Sequence, residues 1–384
     1  MILKAYKYRL NPKESQLEIL NKHLGCVRFI YNWALSEKIK AYQNKQKLSC
    51  FDLSKIVTKL KKEPKTIWLS EVNAQCLQQS INHLDHAFTR FFREKKGFPK
   101  FKSKHRKSSF SYPQNIKVNW NNSTVKLPKI GEVRFFNSRQ FEGKIKTCTV
   151  SKTTRGQYFI SILVETIDNI PQKASISEAS AIGVDLGITH FATISTGEKI
   201  DNPRYLNRSL KKLKYLQRRH SKKKKGSNNR RKHCLRLAKV HEKVRNQRND
   251  FLHKVSTRLI RENQTIILED LNVSGMLKNH CLARSISDVS WSKFIEYLKY
   301  KSEWYGKNLL FIGRFEPSSK MCSCGIVNKN LTLSDRIWTC DSCNAIHDRD
   351  ILASQNIKRF GLQDQNLVYT GTDCAGELGE VSVC

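Results

Sequence analysis

Apolar and polar positions change rhythm several times along this chain, and each change predicts an element. Ile2, Leu3, Tyr6, Tyr8 and Leu10 interleave with basic residues, which predicts a strand over 1–10. Asn11-Pro12 reads as a helix start, with Asn as cap and Pro in the first helical position. Leu17, Leu20, Leu24, Val27, Ile30, Tyr31 and Ala34 follow at helical spacing, and Leu77, Ile81, Leu84, Phe88 and Phe91 form a second such series. Residues 11–96 are therefore expected to be mostly helical, up to the break at Gly97-Phe98-Pro99. Beyond Phe110 the rhythm becomes short β-type runs, Val125–Leu127, Val133–Phe136, Cys148–Ser151 and Tyr158–Val164, separated by Asn, Gly and Pro turns. They predict a small antiparallel sheet or barrel that strand 1–10 closes, with the helical stretch as an insertion.

A linker over 167–180 leads to a second series. Ala181-Ile182-Gly183-Val184 is an apolar strand running into Asp185, with a hairpin partner at Phe191–Ser195. Residues 203–250 form a helical-hairpin candidate broken at Lys222–Asn229, and a helix over about 250–261 precedes the strand Thr265–Leu268. Trp291–Trp304 is an amphipathic helix, Leu309–Ile312 a strand, and a helix runs from about Asp350 to Phe360. The last residues, rich in Gly, Thr and Glu, read as a disordered tail over 363–384. This order fits an α/β RNase H-like core.

Charge narrows the partner. The 384 residues carry 70 Lys+Arg against 33 Asp+Glu, a formal +37. Such self-repulsion is relieved by a polyanion whose phosphates displace counterions, so nucleic acid is the expected partner. No apolar run reaches the ~20 residues of a membrane span, and no basic stretch precedes a signal-type apolar region. The expectation is a cytoplasmic protein with no membrane partner and with reduced thiols.

Three acids stand at element ends. Asp185 and Glu269 each terminate an apolar strand, and Asp350 opens a helix whose apolar face includes Ala353 and Ile357. Gathered in one place, three carboxylates repel one another unless a cation joins them. Hard oxygen donors suit Mg2+ or Mn2+, and two such ions can drive phosphodiester hydrolysis. Taken singly, each acid also suits a turn or a helix cap. Asp270 and Asp348 are rivals, although strand alternation turns Asp270 to the face opposite Glu269.

Cys322, Cys324, Cys340 and Cys343 cluster, and in a reducing compartment a cluster reads as a structural Zn2+ site. Cys340-x-x-Cys343 has ordinary knuckle spacing, whereas Cys322-Ser323-Cys324 lacks one residue and needs a tighter turn. His347 is an alternative ligand. For nucleic acid, stretch 203–250 holds 19 Lys/Arg against two acids, and Arg218, Arg219, Lys222, Lys223, Arg230 and Arg231 are its candidate contacts. Lys100, Lys102 and Lys104 interleave with Phe98 and Phe101, which suit either base stacking or core anchoring. Gln75, Gln78 and Gln79 lie on the polar side of the Leu77 helix, where an amide can read adenine.

Several motifs occur in one order: Lys4–Leu10, Tyr31-Asn32-Trp33-Ala34-Leu35, Gly97–Lys102, Gly183–Gly187, Leu268–Val273, Pro317-Ser318-Ser319-Lys320 with the cysteine knuckles, and His347–Asp350 followed by Ala353 and Asn356-Ile357. Together, over about residues 1–360, they resemble TnpB (OrfB), the insertion-sequence relatives of type V CRISPR effectors. The resemblance implies an α/β and α+β multidomain protein. Its parts would be a β-barrel wedge domain (1–10 and 97–170), a helical recognition domain (11–96), a RuvC nuclease core (178–316 and 346–362, with 203–250 as a basic insertion) and a zinc ribbon (317–345). It implies catalysis by Asp185, Glu269 and Asp350, a guide RNA derived from the transposon end, a double-stranded DNA target next to a short adjacent motif, and a monomer working with its RNA. A strand-transferring transposase and a non-catalytic nucleic-acid-binding regulator of transposition are the competing readings.

Overall fold

A computed structural model describes residues 2–365 apart from 105, 167, 168 and 333. Most of the expected tail, 366–384, lies outside the described residues, whereas 363–365 complete the last helix and its turn. The chain forms two compact units, 1–169 and 170 onward.

The first unit is a seven-stranded antiparallel sheet packed with helices. In chain order it holds β1 (Ile2–Asn11), α1 (Glu14–Gln43), α2 (Cys50–Leu60), α3 (Ala74–Arg93), β2 (Ser108–Tyr112), β3 (Lys117–Asn119), β4 (Thr124–Leu127), β5 (Gly131–Phe135), β6 (Lys144–Lys152) and β7 (Tyr158–Thr166). Strand order is β2-β6-β7-β1-β5-β4-β3. The expected closure by the first strand is corrected: β1 lies mid-sheet, on β7 for most of its length and on β5 at its end, and among the described residues no ladder joins β2 to β3. β7 alternates buried and half-buried positions without a break, the period-two signature of one covered face. That face and the apolar stripes of α1 and α3 share one core, with Leu20, Ile30, Leu77 and Ile81 buried beside Phe110, Val150 and Ile160. The strand also runs one residue past Leu10, so Asn11 is no cap. The helix starts after Lys13, whose backbone N–H donates to Gln16 Oε1.

The second unit is built on a five-stranded sheet of order β10-β9-β8-β11-β12. Its elements are β8 (Ala181–Asp185), β9 (His190–Ile194), β10 (Lys199–Asp201), α4 (Tyr205–Ser221), α5 (Asn228–Glu262), β11 (Thr265–Glu269), α6 (Val273–Met276), α7 (Ala283–Val289), α8 (Trp291–Trp304), β12 (Asn308–Ile312), β13 (Ile337–Thr339), β14 (Ile346–Asp348) and α9 (Arg349–Gln363). The basic hairpin is α4 and α5, and α5 runs unbroken through the expected boundary at 250. β8, β11 and β12 are parallel, and β9 and β10 complete the sheet antiparallel. Parallel strands covered on both faces need apolar residues at nearly every position, as Ala181–Val184 and Thr265–Leu268 have.

Alternation divides the sheet's two faces. Ile182, Val184, Ile266 and Leu268 pack with Leu252, Leu259, Phe294 and Leu298 of α5 and α8. Ala181 and Ile267 turn the other way, onto Ile357 and Phe360 of α9. Two glycines let α9 lie directly on that face. A Cβ on Gly183 would stand 2.0 Å from Ser354 O, and one on Gly361 would stand 2.4 Å from Ile267 Cγ2.

Candidate active site and cysteine cluster

Asp185 follows Gly183 by two positions and Glu269 follows Ile267 by two, so both carboxylates belong to the face that α9 covers. Leu268 lies opposite Val184 in the parallel ladder, and the next residues, Glu269 and Asp185, leave the same sheet edge side by side. Carboxyl ends of parallel strands are where open α/β sheets place their sites. Asp350 occupies the first turn of α9, which packs on β8. Burial pushes Asp185 up to about 7, and the negative charges of Glu269 and Asp350 push the same way, against Arg349 and the Leu186 N–H. The three acids expected to converge are thus electrostatic neighbours.

Both rival acids have other partners. Asp348 caps α9, accepting from the N–H groups of Asp350 and Ile351 at 3.1 Å each, and pairs with Lys199 at 2.7 Å. Burial works to raise its pKa, but Lys199 and those N–H groups outweigh it and hold it below the usual carboxylate value. Asp270 is exposed and pairs with Arg314 at 2.7 Å. Other side chains reach the acids unannounced by sequence. Ser318 Oγ donates a short hydrogen bond to Glu269 Oε1, and Arg336 lies 3.3 Å from Asp350 Oδ1. Pro317–Lys320 is legible as a motif, but nothing in its residue types points to an acid 49 positions away.

The four cysteines come together as their spacing suggests. Their sulfurs all lie within 4.8 Å of one another, with Cys322 and Cys343 at 3.5 Å and Cys324 and Cys340 at 3.7 Å. Among the described residues no other group of three or more candidate ligands is so compact, so the three carboxylates are the more open set. The sulfur separations suit ~2.3 Å bonds to one central tetrahedral ion. The short first knuckle is accommodated by a tight turn: Cys322 N–H donates to Ile326 O, Gly325 N–H to Cys322 O, and Gly325 takes φ +91°, open to glycine. In the second turn Asn344 fills the left-handed position at φ 56°. N–H groups of Cys343 and Ser342 lower the Cys340 pKa to about 7, favouring the thiolate a metal needs. His347 Nε2 lies 3.0 Å from Cys322 Sγ, in reach of a sulfur rather than inside the four-sulfur set.

The basic candidates divide by what their side chains already do. Arg218, Arg219, Lys222 and Arg231 are exposed, with Arg219 bonded to Tyr215 Oη at 2.6 Å. Arg230 closes the tip of the α4–α5 hairpin through the carbonyls of Lys223 and His220, and Lys223 is half-buried. Lys100 and Lys104 are exposed, while Lys102 places its ammonium 3.7 Å from the Tyr31 ring centre, its backbone held on both sides by Asn32. Phe98 packs edge-on to Phe88 and Phe91, and Phe101 is 56% exposed. Gln78 is exposed, Gln79 half-buried, and Gln75 Oε1 is buried without a hydrogen-bond partner.

Three family models match: a probable transposase, OrfB_IS605, over residues 161–280, a Cas12f1-like TNB domain over 291–357, and a helix-turn-helix domain over 1–47. The last stretch here is a strand followed by one 30-residue helix. A Streptomyces pristinaespiralis protein named "Putative RNA-guided DNA endonuclease" is 41% identical over 94% of this chain and 90% of its own. InsQ of Escherichia coli K12, given the same description, is 32% identical over 94% of this chain and 92% of its own. Among solved structures, the protein of a Cas12f1–sgRNA–target DNA complex covers 93% of this chain and 98% of its own at TM-score 0.55 and 12% identity, a likeness of fold. With two such relatives matched almost end to end, the chain belongs to the TnpB (OrfB) family.

Proposed function

We propose that the chain is an RNA-guided, divalent-metal-dependent DNA endonuclease encoded by a transposable element, cutting target DNA beside a short adjacent motif at one RuvC-type site. The observation that carries the chemistry is the meeting of Asp185, Glu269 and Asp350 on the sheet face under α9, where two acids raise the pKa of the third. The guided activity is taken from relatives that share 41% and 32% of their residues with this chain.

The donor set fits hard cations: three carboxylates that repel one another and an Asp185 that holds its proton near neutrality. When bound, Mg2+ or Mn2+ would activate water and stabilise the leaving oxygen. Asp185, Glu269 and Asp350 would hold the cations, with Asp185 giving up its proton on binding. Ser318 occupies one oxygen of Glu269, and among the described residues the other has no hydrogen-bond partner. The cysteines fit Zn2+ in a closed structural site without room for a catalytic water.

In this reading the β1–β7 sheet is the wedge, the α1–α3 segment the recognition part, β8–β12 with α9 the RuvC core, and 317–345 the zinc ribbon. Guide RNA from the transposon end and duplex DNA are the partners, and one chain acts with one RNA. Exposed Arg218, Arg219, Lys222 and Arg231 would serve the phosphates, with Lys100 and Lys104. The test is to purify the protein from its host, sequence its RNA, and challenge a plasmid carrying the matching target with Mg2+. A discrete RNA and a cut that disappears in Asp185→Ala are expected. Absence of a discrete RNA overturns the guided reading, and joined rather than free ends would indicate a transposase.

A further inference from the structure

The three carboxylates come from three distant stretches, and Glu269 has the longest side chain. A glutamate left free forfeits up to ~2 kcal/mol of rotamer entropy on being fixed. Among the described residues its carboxylate has one hydrogen-bond partner, Ser318 Oγ. Ser318 is 6% exposed and sits in a turn closed by Lys320 N–H and Met321 N–H, both donating to Pro317 O at 3.0 Å. That turn does not stand alone. Asn356 on α9, itself 3% exposed, gives its two amide hydrogens to Ser318 O at 2.7 Å and Met321 O at 2.6 Å. An asparagine in a helix's buried face is costly unless both hydrogens are used, and here both go to this one turn.

We infer that Ser318 is the positioning residue for the Glu269 carboxylate, and that Asn356, by holding the Ser318 turn, ties that carboxylate to the helix that carries Asp350. Asn356 lies six residues, about 9 Å of helix rise, beyond Asp350. The same helix rests on β8 at Gly183, two residues before Asp185. α9 is then the common reference for all three acids: directly for Asp350, through backbone contact for Asp185, and through Asn356 and Ser318 for Glu269. The hydroxyl donates to Oε1 and thereby aims Oε2, so its loss loosens a ligand without removing one. This rests on the metal-site reading above.

The test is Mn2+ binding to the full chain with its RNA, followed by electron paramagnetic resonance, for wild type, Ser318→Ala, Ser318→Thr and Asp185→Asn. Supporting shells around metal ligands are typically worth ~10–100-fold in affinity. Ser318→Ala is expected to weaken Mn2+ binding by about tenfold with its Tm within a few degrees of wild type, and Ser318→Thr, which keeps the hydroxyl, to restore it. In cleavage, the Mn2+ needed for half-maximal rate should rise in Ser318→Ala while the rate at saturating Mn2+ approaches wild type. Wild-type binding in Ser318→Ala, or a Thr variant no better than Ala, overturns the role of Ser318 alone. Wild-type protein with no Mn2+ binding that depends on Asp185 overturns the metal site and this role together.

Discussion

At the residue scale, Asp185 is a poor solitary anion. Burial and two like charges hold its pKa at about 7, well above that of an unfolded chain. Below about pH 4 both folded and unfolded states keep the proton and the residue is neutral to stability. Between about 4 and 7 the unfolded chain releases the proton while the folded one retains it, so stability without divalent metal falls across that window. Asp185→Asn should therefore melt at the same temperature as wild type near pH 4 and a few degrees higher above pH 7, without added Mg2+ or Mn2+. A difference in Tm that stays flat from pH 4 to 8 contradicts the crowding of charge at this position. The stabilised variant is also expected to be inactive, as is common where a site is strained for function.

At the element scale, α9 can reach the sheet because Gly183 has no side chain. A Cβ there meets Ser354 O and the Lys358 backbone, neither of which can swing aside. Gly183→Ala should cost about 3 kcal/mol and lower Tm on the order of 10 °C, whereas Gly97→Ala, with nothing within 4 Å of its Cβ, should leave Tm unchanged. Differential scanning calorimetry decides it, and equal Tm values for the two variants would contradict the close seating of α9. Much at this scale was legible in sequence. β7, β8, β11 and α8 announce themselves by alternation or by apolar runs between turns. β2 and β3 do not, because Ser108-Ser109-Phe110-Ser111-Tyr112 and Lys117-Val118-Asn119 are short and mostly polar; β2 also takes its partner, β6, from far along the chain, whereas β3 pairs locally with β4. The mid-sheet place of β1 and the reach of Ser318 to Glu269 escaped because both depend on contacts between residues far apart in the chain.

At the scale of the whole molecule, a chain of net charge +37 keeps three acids together on one face of its second unit. The excess cations hold polyanions without regard to sequence, through counterion release, so binding alone says little about chemistry. On the proposed reading the chemistry rests on the acids, and one neighbouring pair separates that role from mere charge. Glu269 and Asp270 are adjacent in the chain, but Glu269 lies on the α9 face and Asp270 is exposed beside Arg314. The decisive measurement is the rate of Mg2+-dependent target cleavage by RNA-loaded Glu269→Ala and Asp270→Ala. Glu269→Ala should lose cleavage by at least about a hundredfold while still binding RNA, and Asp270→Ala should cut within a few-fold of wild type. Cleavage that survives Glu269→Ala, or that falls equally in both variants, would contradict a nuclease site made of Asp185, Glu269 and Asp350.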